Sequence, residues 1–263
     1  MFLSLKINKD TGGALKNSYL CNTAIRLAIV AFSWTAGGFE AAQADDPAST
    51  AVYVGAGLQE DAYAGYVGGV LALNGDLEAT GTLARWNALY VDYDFDSESP
   101  VIGTANGRIA RGNVSLGYQF SGDGFALSAF GGIDYQDRNI SPSAAETGDL
   151  DDHTGFIVTT RLATLGPTRY PASIEGNYST ANDEYYVQAR VARDFGAIDF
   201  GPEIAALGNE DYNAVRGGVY ASYDLENGPI VQFSVGYHDS NEASSSSGSE
   251  DSAYGNIVLV YVF

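Results

Sequence analysis

Along much of the chain, apolar and polar residues alternate strictly over stretches of about ten residues. A period of two belongs to a β-strand with two unlike faces; a helix would need apolar residues three and four apart. Val114, Leu116, Tyr118 and Phe120 alternate with Asn113, Ser115, Gly117 and Gln119. The next stretch sets Phe125, Leu127, Ala129, Gly131, Ile133 and Tyr135 against Ser128, Phe130, Gly132, Asp134 and Gln136. Two later stretches, Val215 to Leu225 and Val231 to His238, repeat the pattern. Each apolar face carries an aromatic residue near at least one end, the layout of a lipid-facing strand with girdles at headgroup level.

This alternation predicts an all-β, antiparallel, transmembrane outer-membrane β-barrel of about twelve strands. They fall near 50–58, 63–73, 81–94, 107–120, 125–137, 154–164, 171–179, 185–195, 198–207, 212–225, 230–238 and 253–263. Short connections with turn chemistry are Ser121-Gly-Asp-Gly124, Gly196-Ala197 and Glu226-Asn-Gly-Pro229, whereas 95–106, 138–153 and 239–252 are long or acidic. With the first strand rising from the periplasm, all three long loops fall outside and the short turns fall in the periplasm, together with Phe263. A secreted β-sandwich would also alternate, but it would need an inner core and would carry no special signal at its termini. No fixed repeat period speaks for a propeller or β-helix.

The first 44 residues read differently. Lys6, Lys9, Lys16 and Arg26 form a basic region, Leu27 to Phe32 begin an apolar one, and Ala42-Gln43-Ala44 fits a cleavage site before Asp45. The expected organisation is a signal peptide over 1–44 and the barrel over 45–263. Beyond Asp45 no run of 18 apolar residues predicts a membrane helix. Without the leader the chain keeps nine Arg and 31 Asp and Glu, a formal charge of −22, and has no Lys, Cys or Met. Such an acidic excess excludes nucleic acid as a partner, because phosphate binding needs basic surface. The lack of cysteine fits export and leaves no thiolate metal site. Neither a cofactor nor a bound metal is expected.

The closing strand is the most distinctive element. Ile257, Leu259, Tyr261 and Phe263 share one face and form a candidate C-terminal signal for the barrel-assembly machinery. Val258, Val260 and Val262 then point inward, where a water-filled pore would be polar. Two explanations stand open: a buried edge strand, or a partly apolar, plugged lumen. By the same alternation Arg85, Arg111, Arg161, Arg190 and Arg216 face the lumen, as do Asp134, Glu175, Asp199, Glu203 and Asp224. Both signs in one narrow barrel suggest ion pairs that close it. The alternative is a polar or carbohydrate-contacting conduit helped by Tyr118, Tyr220 and Tyr237.

Acidic clusters at the loops (Asp92, Asp94, Asp96 and Glu98; Glu146, Asp149, Asp151 and Asp152; Glu242, Glu250 and Asp251) match no calcium-loop spacing. They read as solvated, with cation bridging to lipopolysaccharide as the alternative. The tract 242–249 is of low complexity. Histidines are few, His153 and His238. Ser234 lies on His238's face but ~13 Å along the strand, too far for a nucleophile–base pair, so an enzyme is not expected.

Several pieces, in order, resemble the cellulose-biosynthesis BcsS family. They are Leu71-Ala-Leu-Asn-Gly-Asp-Leu77, Gly117-Tyr-Gln-Phe120, Gly131-Gly-Ile-Asp-Tyr-Gln-Asp137, Tyr178-Ser-Thr180 and Gly201-Pro-Glu-Ile-Ala-Ala-Leu-Gly-Asn209. The resemblance implies a role in cellulose synthesis, export or surface organisation at the outer membrane. Its expected partners are outer-membrane lipid and lipopolysaccharide, the barrel-assembly machinery, and cellulose or the cellulose synthase complex. It carries over no catalytic residue. A small general porin and a lipid-acting barrel enzyme are the alternatives. Independently of the family, Pro202 cannot donate a ladder hydrogen bond, so a bulge or local break is expected there, with Glu203 aimed into the lumen.

Overall fold

The computed structural model describes residues 47–96, 104–141, 152–209, 212–225, 228–242 and 250–263. The leader with its cleavage site lies outside these residues, as do Glu98, Glu146, Asp149, Asp151, part of the Glu226–Pro229 turn and most of the 242–249 tract. The strands are β1 (Thr50–Gln59), β2 (Ala62–Ala72), β3 (Gly81–Asp96), β4 (Thr104–Gly122), β5 (Phe125–Ser141), β6 (His153–Thr164) and β7 (Ala172–Ser179). They continue with β8 (Glu184–Val191), β9 (Arg193–Asp194), β10 (Ile198–Gly208), β11 (Tyr212–Asp224), β12 (Ile230–Glu242) and β13 (Glu250–Val262). The described residues contain no helix, and none is long and apolar enough to cross a membrane.

Neighbours in sequence pair antiparallel throughout, and β1 pairs with β13, so the sheet closes on itself. Phe263 completes the seam: its N–H donates to the Thr50 carbonyl (2.9 Å), and its own carbonyl accepts from Thr50 N–H (2.8 Å). Closure leaves no edge and pairs the strand groups that lipid could not satisfy. β8 and β9 are one stave, so the barrel has twelve staves. The break between them lies opposite Pro202, whose missing N–H interrupts the ladder. Glu203 pairs with Arg190 on one side of it and Phe200 with Arg193 on the other, so no residue is inserted. The strand that carries Pro202, β10, runs through without bulge or break, and the break falls instead in its partner stave at Ala192. Glu203 reaches the lumen by plain alternation.

Burial alternates with the same period of two. Val114, Leu116, Tyr118, Phe120, Ile133, Phe156, Ile204 and Val235 are among the large apolar side chains exposed on the outer wall. A strand of about ten residues tilted ~40° spans the ~25 Å apolar belt of such a barrel. β4, β5, β12 and β13 run beyond the expected limits, shortening all three long loops. There both faces are polar, so pairing continues while alternation fades. Asp92, for instance, accepts from Asn106 Nδ2 (2.7 Å) and Arg108 Nε (3.1 Å) across the β3–β4 ladder, and Asp94 accepts from the same Asn106 (3.2 Å). These two carboxylates therefore belong to a strand and not to a loop. At the opposite end of the barrel Asp123-Gly124 makes the β4–β5 turn, with Gly124 at φ +81°, a left-handed conformation that glycine adopts without a steric penalty.

Inside, aromatic rings from one strand lie flat over glycines of the next. Tyr53 covers Gly68, Tyr66 covers Gly55, and Phe130 covers Gly117. A Cβ at Gly68 would collide with the Tyr53 ring and the Trp86 carbonyl, whereas one at outward-facing Gly65 meets nothing within 4 Å. Gly68→Ala is expected to lose about 1–3 kcal/mol of stability through overpacking. Gly65→Ala should leave the urea midpoint in vesicles unchanged or raise it. Equal midpoints for the two variants would show that ring-over-glycine packing contributes nothing.

Candidate functional site

The lumen is divided lengthwise. Along β13 and β1–β5 it is lined by a continuous apolar cluster that includes Tyr53, Tyr66, Val70, Leu83, Val91, Ile109, Phe130, Val258 and Val260, all buried. The inward valines of the closing strand are thus part of a dry wall. Leu77 joins this cluster from the β2–β3 connection at the Phe263 end. Its N–H donates to the Ala48 carbonyl (2.8 Å), and Gln119 Nε2 donates to its own carbonyl (2.6 Å). The connection therefore folds back into the mouth and stoppers its apolar side.

Charged groups stand on both sides of the lumen, with Arg85, Arg111, Asp134 and Arg138 on the same staves as this cluster, and their partners reach across the barrel. Arg85 on β3 donates to Glu175 on β7 (3.2 Å). Arg111 on β4 donates through Nε to Asp134 on neighbouring β5 (2.9 Å) and through Nη1 to Glu184 on β8 (2.7 Å). Arg138 also reaches Glu184 (3.4 Å), and Ser179 Oγ donates to Asp134 (2.5 Å). Asp134 is fully buried at 0 % exposure. Lower down, Glu203 accepts from Arg190 Nε (2.8 Å), Ser234 Oγ (3.0 Å) and the Tyr254 hydroxyl (2.7 Å). Arg216 donates to His238 Nδ1 (3.0 Å) and lies over the Tyr254 ring at 5.4 Å. Arg161 stands opposite Glu175 in the β6–β7 register and is buried beside it. Each guanidinium can satisfy several acceptors in a fixed plane, which is why arginine and not lysine suits such a site.

The structure therefore brings Arg85, Arg111, Arg161, Arg190, Arg216, Asp134, Glu175 and Glu203 into one buried system. Asp199 and Asp224 stand apart from it, half-buried with Asp194 around the mouth at the Phe263 end. Arg138 and Glu184 escape the sequence reading because strand limits of 137 and 185 excluded them by one residue each. Tyr118 and Tyr237 do not line the lumen: both face outward, so they correct the expected set, and only Tyr220 is inside. The tyrosine positions were assigned by nearness to the rims and not by strand parity. Ile257, Leu259, Tyr261 and Phe263 point outward from the closing stave.

What the arrangement can do is limited by space. Voids around these groups measure about 20, 10 and 50 Å³. On this measure ~10–15 Å³ admits one water, so these voids suit single waters and fall far below the ~300 Å³ of a small-molecule site. Among the described residues no group of three His, Cys, Asp or Glu is placed to hold a metal ion. His238 accepts from Arg216 and Ser234 donates to Glu203, so the two are engaged separately.

Several solved structures are similar to the chain. The KdgM porin is similar at 9 % identity and a TM-score of 0.43, over 81 % of this chain and 99 % of that one. The translocator domain of autotransporter NalP from Neisseria meningitidis is similar at 12 % and 0.46, over 82 % and 88 %. An outer membrane channel from Pseudomonas putida F1 is similar at 11 % and 0.48, over 85 % and 98 %. No curated protein sequence matches the chain. A family model described as cellulose biosynthesis protein BcsS matches residues 51–263.

Proposed function

Since the chain belongs to the cellulose biosynthesis protein BcsS family, we propose that it acts in the outer membrane as a non-enzymatic barrel assisting cellulose export or its organisation at the cell surface. The observation that carries this reading is the filled lumen. Ion pairs between strands as distant as β4 and β8, beside an apolar cluster, occupy much of the interior among the described residues, which supports a barrel that does not conduct a glycan chain or a solute. A barrel of this kind contributes through its rims and loops, where cellulose or the synthase complex would be met, and the side chains inside it hold its shape. The same filling speaks against a general porin. The separate engagement of His238 and Ser234 speaks against a hydrolase.

The orientation follows from the connections. The strand ends that flank 97–103, 142–152 and 243–249 lie opposite Phe263, and we take that end as the outer one, with the Phe263 end in the periplasm. Lipopolysaccharide then surrounds the upper, acidic part of the wall.

Two measurements test the proposal. In planar bilayers the purified barrel is expected to give no steady conductance, whereas a variant truncated at Arg85, Arg111 and Glu175 to alanine should open discrete steps. Removing the protein from cells should reduce or disorder surface cellulose while leaving small-solute uptake intact. Steady channel openings in the unaltered protein, or normal cellulose with impaired solute uptake, would overturn it.

A further inference from the structure

A furrow of about 650 Å³ crosses the outer wall from Thr50 and Leu71 to Val114 and Ile133, in the half of the barrel nearer Phe263. Its sides are Leu71, Trp86, Val114, Leu116 and Ile133, all exposed, and its floor is Ala84, Gly131 and the strand backbone. Gly131 is not required there by conformation, since its φ is not positive, nor by packing, since a Cβ would meet nothing within 4 Å. Its inward neighbour Gly132 differs, because a Cβ there would strike the Val114 carbonyl and Ser115. Glycine inside a strand is unfavourable relative to alanine, so what Gly131 supplies is the open floor. Trp86 is the sixth residue of the sixteen-residue β3, on the part of the stave nearer the Phe263 end, and its half-exposed indole borders the furrow.

We propose that this furrow holds one acyl chain of a phospholipid from the leaflet on the Phe263 side, as a retained lipid and not as freely exchanging solvent. The furrow is continuous with the lipid-facing belt, its lining is almost wholly apolar, and it descends toward the Phe263 rim, where a phospholipid headgroup would lie. Trp86 forms one wall against which the chain packs. The choice of a phospholipid over lipopolysaccharide rests on the periplasmic placement of that rim.

Trp86 is also the reporter. With Trp34 replaced by phenylalanine it is the sole indole. In vesicles of mixed plain and chain-brominated phosphatidylethanolamine, its quenching is expected to saturate at a low brominated fraction. Gly131→Leu, which fills the floor, should weaken that apparent affinity about tenfold while keeping heat-modifiable migration and the urea midpoint. Quenching that rises simply in proportion to the brominated fraction, with the same curve for Gly131→Leu, would overturn the proposal. Displacement of the brominated lipid by lipopolysaccharide but not by plain phosphatidylethanolamine would overturn the choice of leaflet.

Discussion

Truncation of Asp134 to alanine is expected to lower the stability of the barrel by about 3–5 kcal/mol, the usual consequence of stranding one partner of a buried ion pair. Asp134 is fully buried and accepts from both Arg111 and Ser179. Its removal takes from the buried Arg111 guanidinium the carboxylate to which both Nε and Nη2 donate, in a place water reaches poorly. Asp134→Asn, which keeps the shape and removes the charge, should fall between wild type and Asp134→Ala. Arg111→Met combined with Asp134→Leu should lose less than the sum of the single changes, because neither charge is then left behind. Urea titration in vesicles, followed by Trp86 fluorescence and by the heat-modifiable gel band, reads all of these. A wild-type midpoint for Asp134→Ala would show that the pair is not buried as described.

The second large effect concerns assembly and not stability. Phe263 closes the seam through its backbone, while its ring stands 67 % exposed on the outer wall. Phe263→Ala keeps both seam hydrogen bonds, so refolding from urea into vesicles should match wild type within about 0.5 kcal/mol. In cells the same change is expected to remove most of the heat-modifiable barrel from the outer membrane, because the exposed ring is what the assembly machinery would recognise. Comparable amounts of folded barrel in cells for both proteins would remove Phe263 from that role.

The barrel was legible in the sequence wherever one face met lipid. On β4 and β5 the switch between Val114 or Ile133 and Asn113 or Asp134 is enforced by hydrocarbon on one side and packed polar groups on the other, so residue type alone reveals direction. Where the staves rise above the belt that contrast disappears, and Asp96 and Arg138 fell outside the expected strand limits although they belong to the ladder. Direction inward was legible, but partnership was not. Arg85 meets Glu175, 90 residues away, and Arg111 meets Glu184, 73 residues away. Alternation says only that each faces the interior, and barrel curvature decides which of them meet. Leu77 left no periodic signal at all, since its place depends on a turn that folds back under bonds from Ala48 and Gln119.

The separation of these charges along the chain has a consequence for how the barrel is built. A sheet holding only β1–β6 would carry the guanidiniums of Arg85 and Arg111, while Glu175 on β7 and Glu184 on β8 had yet to arrive. Such a half-formed sheet would have to keep its concave side wet and could not settle into the membrane as a dry plate. Arg111 has its Asp134 carboxylate from the moment β5 pairs with β4, whereas the Glu175 carboxylate that Arg85 meets is added only with β7, and the Glu203 cluster is complete only when β13 closes the ring.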